Sequence, residues 1–447
     1  MKNTFLLFIL VLTTLESSAQ GSDNTPFNFT LQQAVDYAMA NQVKVQNAKL
    51  DEDLARNKVR EIRGIGMPQI NGSFYVKDFW EIPTSLIPGE FFGAPKGTYL
   101  PVKFGTQFNT SAGLDASQLL FSSDYLVGLQ ATKVYYELMQ KMTARSRIET
   151  SAMVQKAYYS VLVNEERFKL LEANVARIGK LKDDTKAMLD NGFVEQIDFD
   201  RINLTYNNLV IEKQKVERFV ELGYVLLKYQ MGMDQLSKLV LADKLSDVKF
   251  ELSDVSTDKF DYSKRVEYSL LDSQHKGAEL QLKKDKLSYL PNIALYSTLS
   301  AQAQRNKLDF WDTSKPWYPI GIIGVRIGVP IFDGFQKHYR IQQSKISLMK
   351  SDNDMKFLKQ SIDLDLASAK TNLLNNATSL DTQKKNVELA QQVYNVSKVK
   401  YEQGVGSNLE VLNAENSLKE SQTNYFSALY DALIAKVDFQ KATGVLK

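Results

Sequence analysis

The residues that could carry chemistry are few. His275 and His338 are the only two histidines, each alone in a lysine-rich stretch with helical spacing, and there is no cysteine. A zinc centre or a Ser-His nucleophile has almost nothing to build on, and disulfides, thiolate sites and an N-terminal lipid on cysteine are excluded. Asp115 lies within a segment that reads as a strand and Asp333 just after another, but no base or nucleophile clusters with them. An enzyme, a cofactor or a metal site is therefore not expected. Two further carboxylates, Asp198 and Glu410, each follow a glycine-bearing turn. A negative charge there is favourable against a helix N-terminus, so capping alone accounts for them at this level. With Lys+Arg 55 against Asp+Glu 52, the net charge of +3 gives no reason to expect a nucleic acid partner.

The elements that must position these groups are read from proline and glycine. None of the ten prolines lies between Pro101 and Pro291 or after Pro330. Proline costs about 3 kcal/mol inside a helix, so these intervals permit very long ones. From Phe335 to Thr443 the only glycines are Gly404 and Gly406. This predicts a helix of roughly 65 residues, a tight turn and a helix of roughly 35. At about 1.5 Å per residue the longer arm reaches on the order of 100 Å. Ile362, Leu366, Ala369, Leu373, Leu380, Val387, Ala390 and Tyr394 follow alternating steps of four and three, with Asn376 and Gln383 at seam positions. Val154, Tyr158, Val161, Phe168, Val175 and Ile178 keep the same rhythm, interrupted by Glu165 and Glu172. Both arms read as coiled-coil hairpins.

The second half repeats the first with an offset near 212 residues: the turn at 191–196 aligns with that at 403–408 and Met231-Gly232 with Thr443-Gly444, while upstream Met67-Pro68 matches Leu290-Pro291. The chain divides into a first repeat (20–232), a connecting segment (233–262) and a second repeat (263–447). Each repeat also carries two segments of two-residue alternation, at about 69–80 and 104–121, then 291–304 and 318–332. Ile70, Phe74 and Val76 oppose Asn71, Ser73 and Lys77; Leu295 and Leu299 oppose Thr298 and Ser300. The three tryptophans, Trp80, Trp311 and Trp317, fall in or beside the loops joining these pairs, where a membrane interface favours aromatics.

The N-terminus reads as an export signal over 1–19: Lys2, an apolar run from Phe5 to Leu12, then Ser17-Ser18-Ala19. No later stretch approaches the roughly 20 apolar residues of a spanning helix, so membrane insertion requires a β-barrel. Four strands cannot close one, since the smallest has about eight. Several copies must contribute. The remaining alternative is a periplasmic coiled-coil structural or adaptor protein that never enters the membrane.

These residues resemble the TolC family of outer membrane efflux channels over essentially the whole mature chain. The likeness rests on Phe29-Thr30-Leu31-Gln32-Gln33-Ala34, on Leu290-Pro291-Asn292-Ile293, on Gly328-Val329-Pro330-Ile331-Phe332-Asp333-Gly334, and on Tyr401-Glu402-Gln403-Gly404 followed by Leu409-Glu410-Val411-Leu412-Asn413-Ala414. The resemblance implies a mixed α and β membrane protein with internal duplication. It also implies a homotrimer in outer membrane lipid, with four transmembrane strands per chain in a 12-stranded barrel and coiled-coil helices forming a periplasmic α-barrel. It implies an exit duct for efflux or type I secretion, working with a periplasmic adaptor and an inner-membrane transporter. Adaptor docking falls to the tips, Gly192, Phe193 and Val194, and Gly404, Val405 and Gly406. Closure of the tunnel falls to Asp198, Tyr401, Glu410 and Asn413. Asn413 replaces an acidic residue common there, and Gly406 stands where a gate arginine occurs.

Overall fold

The computed structural model describes residues 26–245 and 260–446. The signal expected at 1–19 and part of the connecting segment lie outside them. In chain order the elements are β1 (Phe27–Phe29), α1 (Leu31–Asn41), α2 (Val43–Ile65), β2 (Gln69–Asp78), β3 (Thr84–Pro88), β4 (Tyr99–Lys103) and β5 (Phe108–Phe121). There follow α3 (Ser123–Asp190), α4 (Gln196–Met231), β6 (Leu239–Leu241), α5 (Val266–Leu287), β7 (Asn292–Arg305), β8 (Tyr318–Gly328), α6 (Gln336–Glu402) and α7 (Asn408–Ala442). The proline-free intervals thus hold helices of 68 and 67 residues, followed by helices of 36 and 35.

The chain forms two compact units. One comprises Met1–Gln42, Thr150–Ser253 and Leu373–Val437. Its seams follow the heptad. Leu171 and Ile178 of α3 pack against Ile202, Leu209 and Val216 of α4, each series stepping by seven. Glu165 and Glu172, which interrupt the seam, are not left unpaired: the Tyr224 hydroxyl donates to Glu165 at 2.6 Å, and Lys213 donates to Glu172 at 2.9 Å. In the other hairpin Ala390 and Tyr394 pack against Val411, Ala414 and Leu418. Around α1 the core is Ala34, Ala38, Val154, Tyr158, Leu227 and Met231. Asp243 joins these parts, accepting from the Leu31 amide at 2.7 Å and from the Tyr158 hydroxyl at 2.8 Å.

Gly232 ends α4 with φ of 70°, and a Cβ there would lie 2.6 Å from the Asn41 carbonyl oxygen. Gly404 has φ of 73° but open space around it. A left-handed backbone costs an L-residue roughly 1–2 kcal/mol, and a backbone clash adds to that. Gly232→Ala is therefore expected to lower the melting temperature by at least twice as much as Gly404→Ala in thermal unfolding followed by circular dichroism. Equal losses would show that the contact with Asn41 is immaterial.

The other unit, Val43–Glu149, Asp254–Asn372 and Asp438–Lys447, holds an antiparallel sheet in the order β2-β5-β7-β8. Helices α2, α3, α5 and α6 abut these strands in the same order. The register brings Phe74 opposite Ala112, Leu114 opposite Leu299, and Leu295 opposite Val325 on one face. Asn71 opposite Asp115, and Ser111 opposite Gln302, lie on the other. Two strands are shorter than the alternation suggests. β5 starts at Phe108 rather than 104, because Gly105 adopts φ of 126° and breaks the extended run. β8 ends at Gly328 rather than 332, two residues before Pro330, which has no N–H to donate. A further hairpin, β3 with β4, occupies the loop between β2 and β5.

Candidate functional site at the helical tips

Both hairpin tips are built the same way. At the end of α3 the Gly192 amide donates to the Leu189 carbonyl at 2.9 Å and the Phe193 amide to the Met188 carbonyl at 2.9 Å. At the end of α6 the Gly404 amide donates to Tyr401 at 3.0 Å and the Val405 amide to Lys400 at 3.0 Å. This pair of bonds closes a helix through a left-handed residue, which is why glycine stands at both points. Phe193 and Val405 are carried outward, 80% and 77% exposed. Together with Met188, Val194, Tyr401 and Gly404 they flank an open groove of about 640 Å3, with Phe193, Val194, Tyr401 and Gly404 in its lining. Gly406 is constrained differently. A Cβ there would come within 2.9 Å of the Lys400 Cβ and 3.1 Å of the Tyr401 amide, so no arginine fits this backbone unaltered.

The carboxylates separate into two environments. Asp198, in the first turn of α4, is half-buried and accepts from Asn408 Nδ2 at 3.3 Å, while its carbonyl accepts from the same amide at 3.0 Å. Arg201 approaches it at 3.8 Å. Asp198 thus joins the start of α4 to the start of α7. Glu410 and Asn413 lie three residues apart on the exposed face of α7, opposite the buried Val411, Ala414 and Leu418. Ser407 caps that helix, its hydroxyl accepting from the Glu410 amide at 3.2 Å. The Tyr401 hydroxyl is buried without a hydrogen-bond partner among the described residues. Asp198, Tyr401, Glu410 and Asn413 therefore occur in one unit, but no hydrogen bond unites them into a closing network within one chain.

Sequence reasoning missed the polar layer above the tips. Glu415, 1% exposed, receives Arg177 Nη2 at 2.9 and 3.1 Å; the same nitrogen donates to Asn174 at 3.0 Å. The guanidinium lies 4.7 Å from the centre of the Tyr394 ring, and Asn174 donates to Gln422 at 2.9 Å. Burial pushes the Glu415 carboxyl above its ordinary value, and Arg177 opposes that rise. Farther from the tips, Glu212 meets Arg167 at 3.2 Å and Lys419 at 2.5 Å. The signal in the sequence was a glutamate one residue after the seam position Ala414, on the buried side of α7.

The aromatic residues of the sheet unit take different roles. Trp80 and Trp311 are 93% and 78% exposed. Trp317 is less exposed, edge-on to Phe310 with ring centres 6.3 Å apart, and Phe310 is covered in turn by Arg305.

Residues 274–445 match the family described as outer membrane efflux protein. The chain is similar to outer membrane efflux proteins of the TolC family. The outer membrane protein TolC of Vibrio cholerae is 20% identical over 346 residues, spanning 75% of this chain and 77% of the relative. Among solved structures, VceC of Vibrio cholerae superposes with a TM-score of 0.73 at 14% identity, covering 93% of this chain and 96% of that one. The open state of the MtrE outer membrane channel of Neisseria gonorrhoeae gives 0.73 at 17% identity, covering 93% and 88%. The mixed α and β fold of this chain is that of these channels. Among the described residues no helix is long and apolar enough to cross a membrane.

Proposed function

We infer that this protein is the exit duct of an efflux or type I secretion assembly, a passive conduit through the outer membrane. Three copies each give four strands to a twelve-stranded barrel, and their hairpins meet a periplasmic adaptor that connects to an inner-membrane transporter. The observation that carries this reading is the sheet itself. β2 and β8 each have one partner strand, so each leaves an edge open, while Ile70, Phe74, Leu114, Leu299, Ile323 and Val325 stand exposed on a single face. Lipid does not tolerate unpaired strand edges, which cost several kcal/mol for each unmet backbone group. Closure by identical copies pairs β8 of one with β2 of the next. A periplasmic protein without a membrane phase would have no use for that apolar face. The tips, with Phe193 and Val405 exposed beside a groove, suit an adaptor helix hairpin. The repetition of the tip bonds in both halves supports a duplicated plan.

The placement of Glu410 on the exposed face of α7 supports a constriction, since three such carboxylates around an axis repel one another and attract cations. Glu410→Ala is expected to raise single-channel conductance, weaken cation selectivity and relieve block by divalent cations, with Asn413→Ala doing so less. Conductance and block indistinguishable from the parent would remove Glu410 from the narrowest point. A monomeric mass in detergent would remove the duct itself.

A further inference from the structure

Close to the sheet, the face of α2 turned toward α3 carries arginines. Arg56, Arg60 and Arg63 recur at i, i+4 and i+7, a spacing that puts them on one side of the helix. With Thr132, Lys133 and Tyr136 of α3 they line a groove of about 490 Å3. Arg56 is already engaged, 3.0 Å from Asp53 and donating to the Tyr136 hydroxyl at 3.3 Å; that hydroxyl donates to Glu52 at 3.1 Å. The side chains of Arg60, Arg63 and Lys133 are exposed and have no ion pair or hydrogen bond among the described residues. Like charges at this helical spacing repel by roughly 0.2–0.5 kcal/mol per pair. Three cations around one groove without a counter-charge favour an anion, and guanidinium forks match the oxygens of a phosphate.

The place of the groove narrows the source. α2 ends at Ile65 and β2 begins at Gln69, while β5 ends at Phe121 and α3 begins at Ser123. Arg63 therefore lies within about one helical turn of the junction with the sheet, and Lys133 about 15 Å along α3. The junction is fixed. Tyr125 donates its hydroxyl to the Arg63 carbonyl at 3.2 Å, and its ring fills the space where a Cβ on Gly66 would lie. Strands in the lipid set this groove at the level of the periplasmic headgroups, where basic side chains meet phosphates.

We propose that this groove binds a phosphoryl oxyanion between Arg60 and Arg63 on one side and Lys133 on the other, and that a phospholipid headgroup supplies it. A soluble phosphate ester would use the same contacts, and only the assignment to lipid rests on the proposed membrane position of the sheet. The test uses full-length protein in detergent, with phosphatidylglycerol retention read by native mass spectrometry and inorganic phosphate binding read by 31P line broadening. In R60Q/R63Q/K133Q, lipid retention is expected to fall at least about tenfold, the scale of losing several charge-assisted contacts. K345Q/K350Q, which removes two exposed lysines of α6, should retain lipid as the parent does. Lys133→Gln alone should give a partial loss that Lys133→Arg restores, which separates binding from misfolding. Loss of phosphate broadening with lipid retention unchanged would support the oxyanion site but assign it to a soluble ligand. Lipid and phosphate binding both unchanged in the triple variant would overturn the proposal. Channel conductance should persist in the triple variant, so failure of this site and failure of the duct are distinguishable.

Discussion

Replacing Leu299 by arginine is expected to destabilise the protein in a bilayer by about 2–4 kcal/mol, the cost of an arginine at the midplane of a transmembrane strand. Leu299 lies in β7, one of the two inner strands, directly opposite Leu114 of β5, and is 63% exposed. Its neighbours on that face, Phe74, Leu114 and Val325, are apolar and also exposed, so a guanidinium there has no counter-charge and no water if the face meets lipid. Gln302→Arg is the matched control. Gln302 stands three residues further along β7, on the face that carries Ser111, Asp115 and Thr298, where polar groups already pair: Thr298 donates to Asp115 at 2.6 Å. Outer membrane yield and the temperature at which the oligomer dissociates in detergent should both drop for Leu299→Arg and stay near the parent for Gln302→Arg. If the two variants assemble equally well, the apolar face is not the lipid face.

Much of this architecture is legible in residue spacing, because the dominant forces act at short range along the chain. The absence of proline between Pro101 and Pro291 leaves nothing to stop α3. The alternation of Ile70, Phe74 and Val76 with Asn71, Ser73 and Lys77 is the two-residue period of a strand with two unlike faces. What stays hidden is long-range or masked. The β3-β4 hairpin contains Pro88 and Pro101, and Pro83 and Pro95 stand beside its strands, so its alternation is lost among residues that lack an amide donor. β1 and β6 are three residues each, and their parallel pairing joins Phe27 to Leu239 across most of a repeat. At the tips, glycine marks the turns, but only folded geometry distinguishes Asp198, tied to Asn408, from Glu410, which faces outward. The Arg177–Glu415 pair spans 238 residues, and no spacing rule connects them.

That pair sets up the other large effect. Arg177→Met should cost about 3–5 kcal/mol, because it strands a buried carboxylate without its cation. Glu415→Gln should cost less. Arg177 is 27% exposed at its side chain and keeps Asn174 and the Tyr394 ring, so water and neighbours continue to serve it. The pH dependence separates this explanation from simple loss of packing. Burial raises the folded-state affinity of Glu415 for a proton above that of the unfolded chain, whose ordinary value is 4.5. The stabilisation linked to that proton is complete below about 4.5 and is lost as pH rises through the folded-state value. Removing Arg177 takes away the group that opposes the rise, so the window widens upward and the penalty grows between pH 5 and neutrality. Melting temperatures of detergent-solubilised protein should therefore differ little between parent and Arg177→Met near pH 4 and differ most near pH 7.5. Glu415→Gln should show no such trend, and Arg177→Met combined with Glu415→Leu should recover much of the loss, since an apolar pair removes both charges from the interior. A deficit in Arg177→Met that is constant across this range would mean that Glu415 does not titrate there and that the guanidinium contributes through its contact with Tyr394 instead.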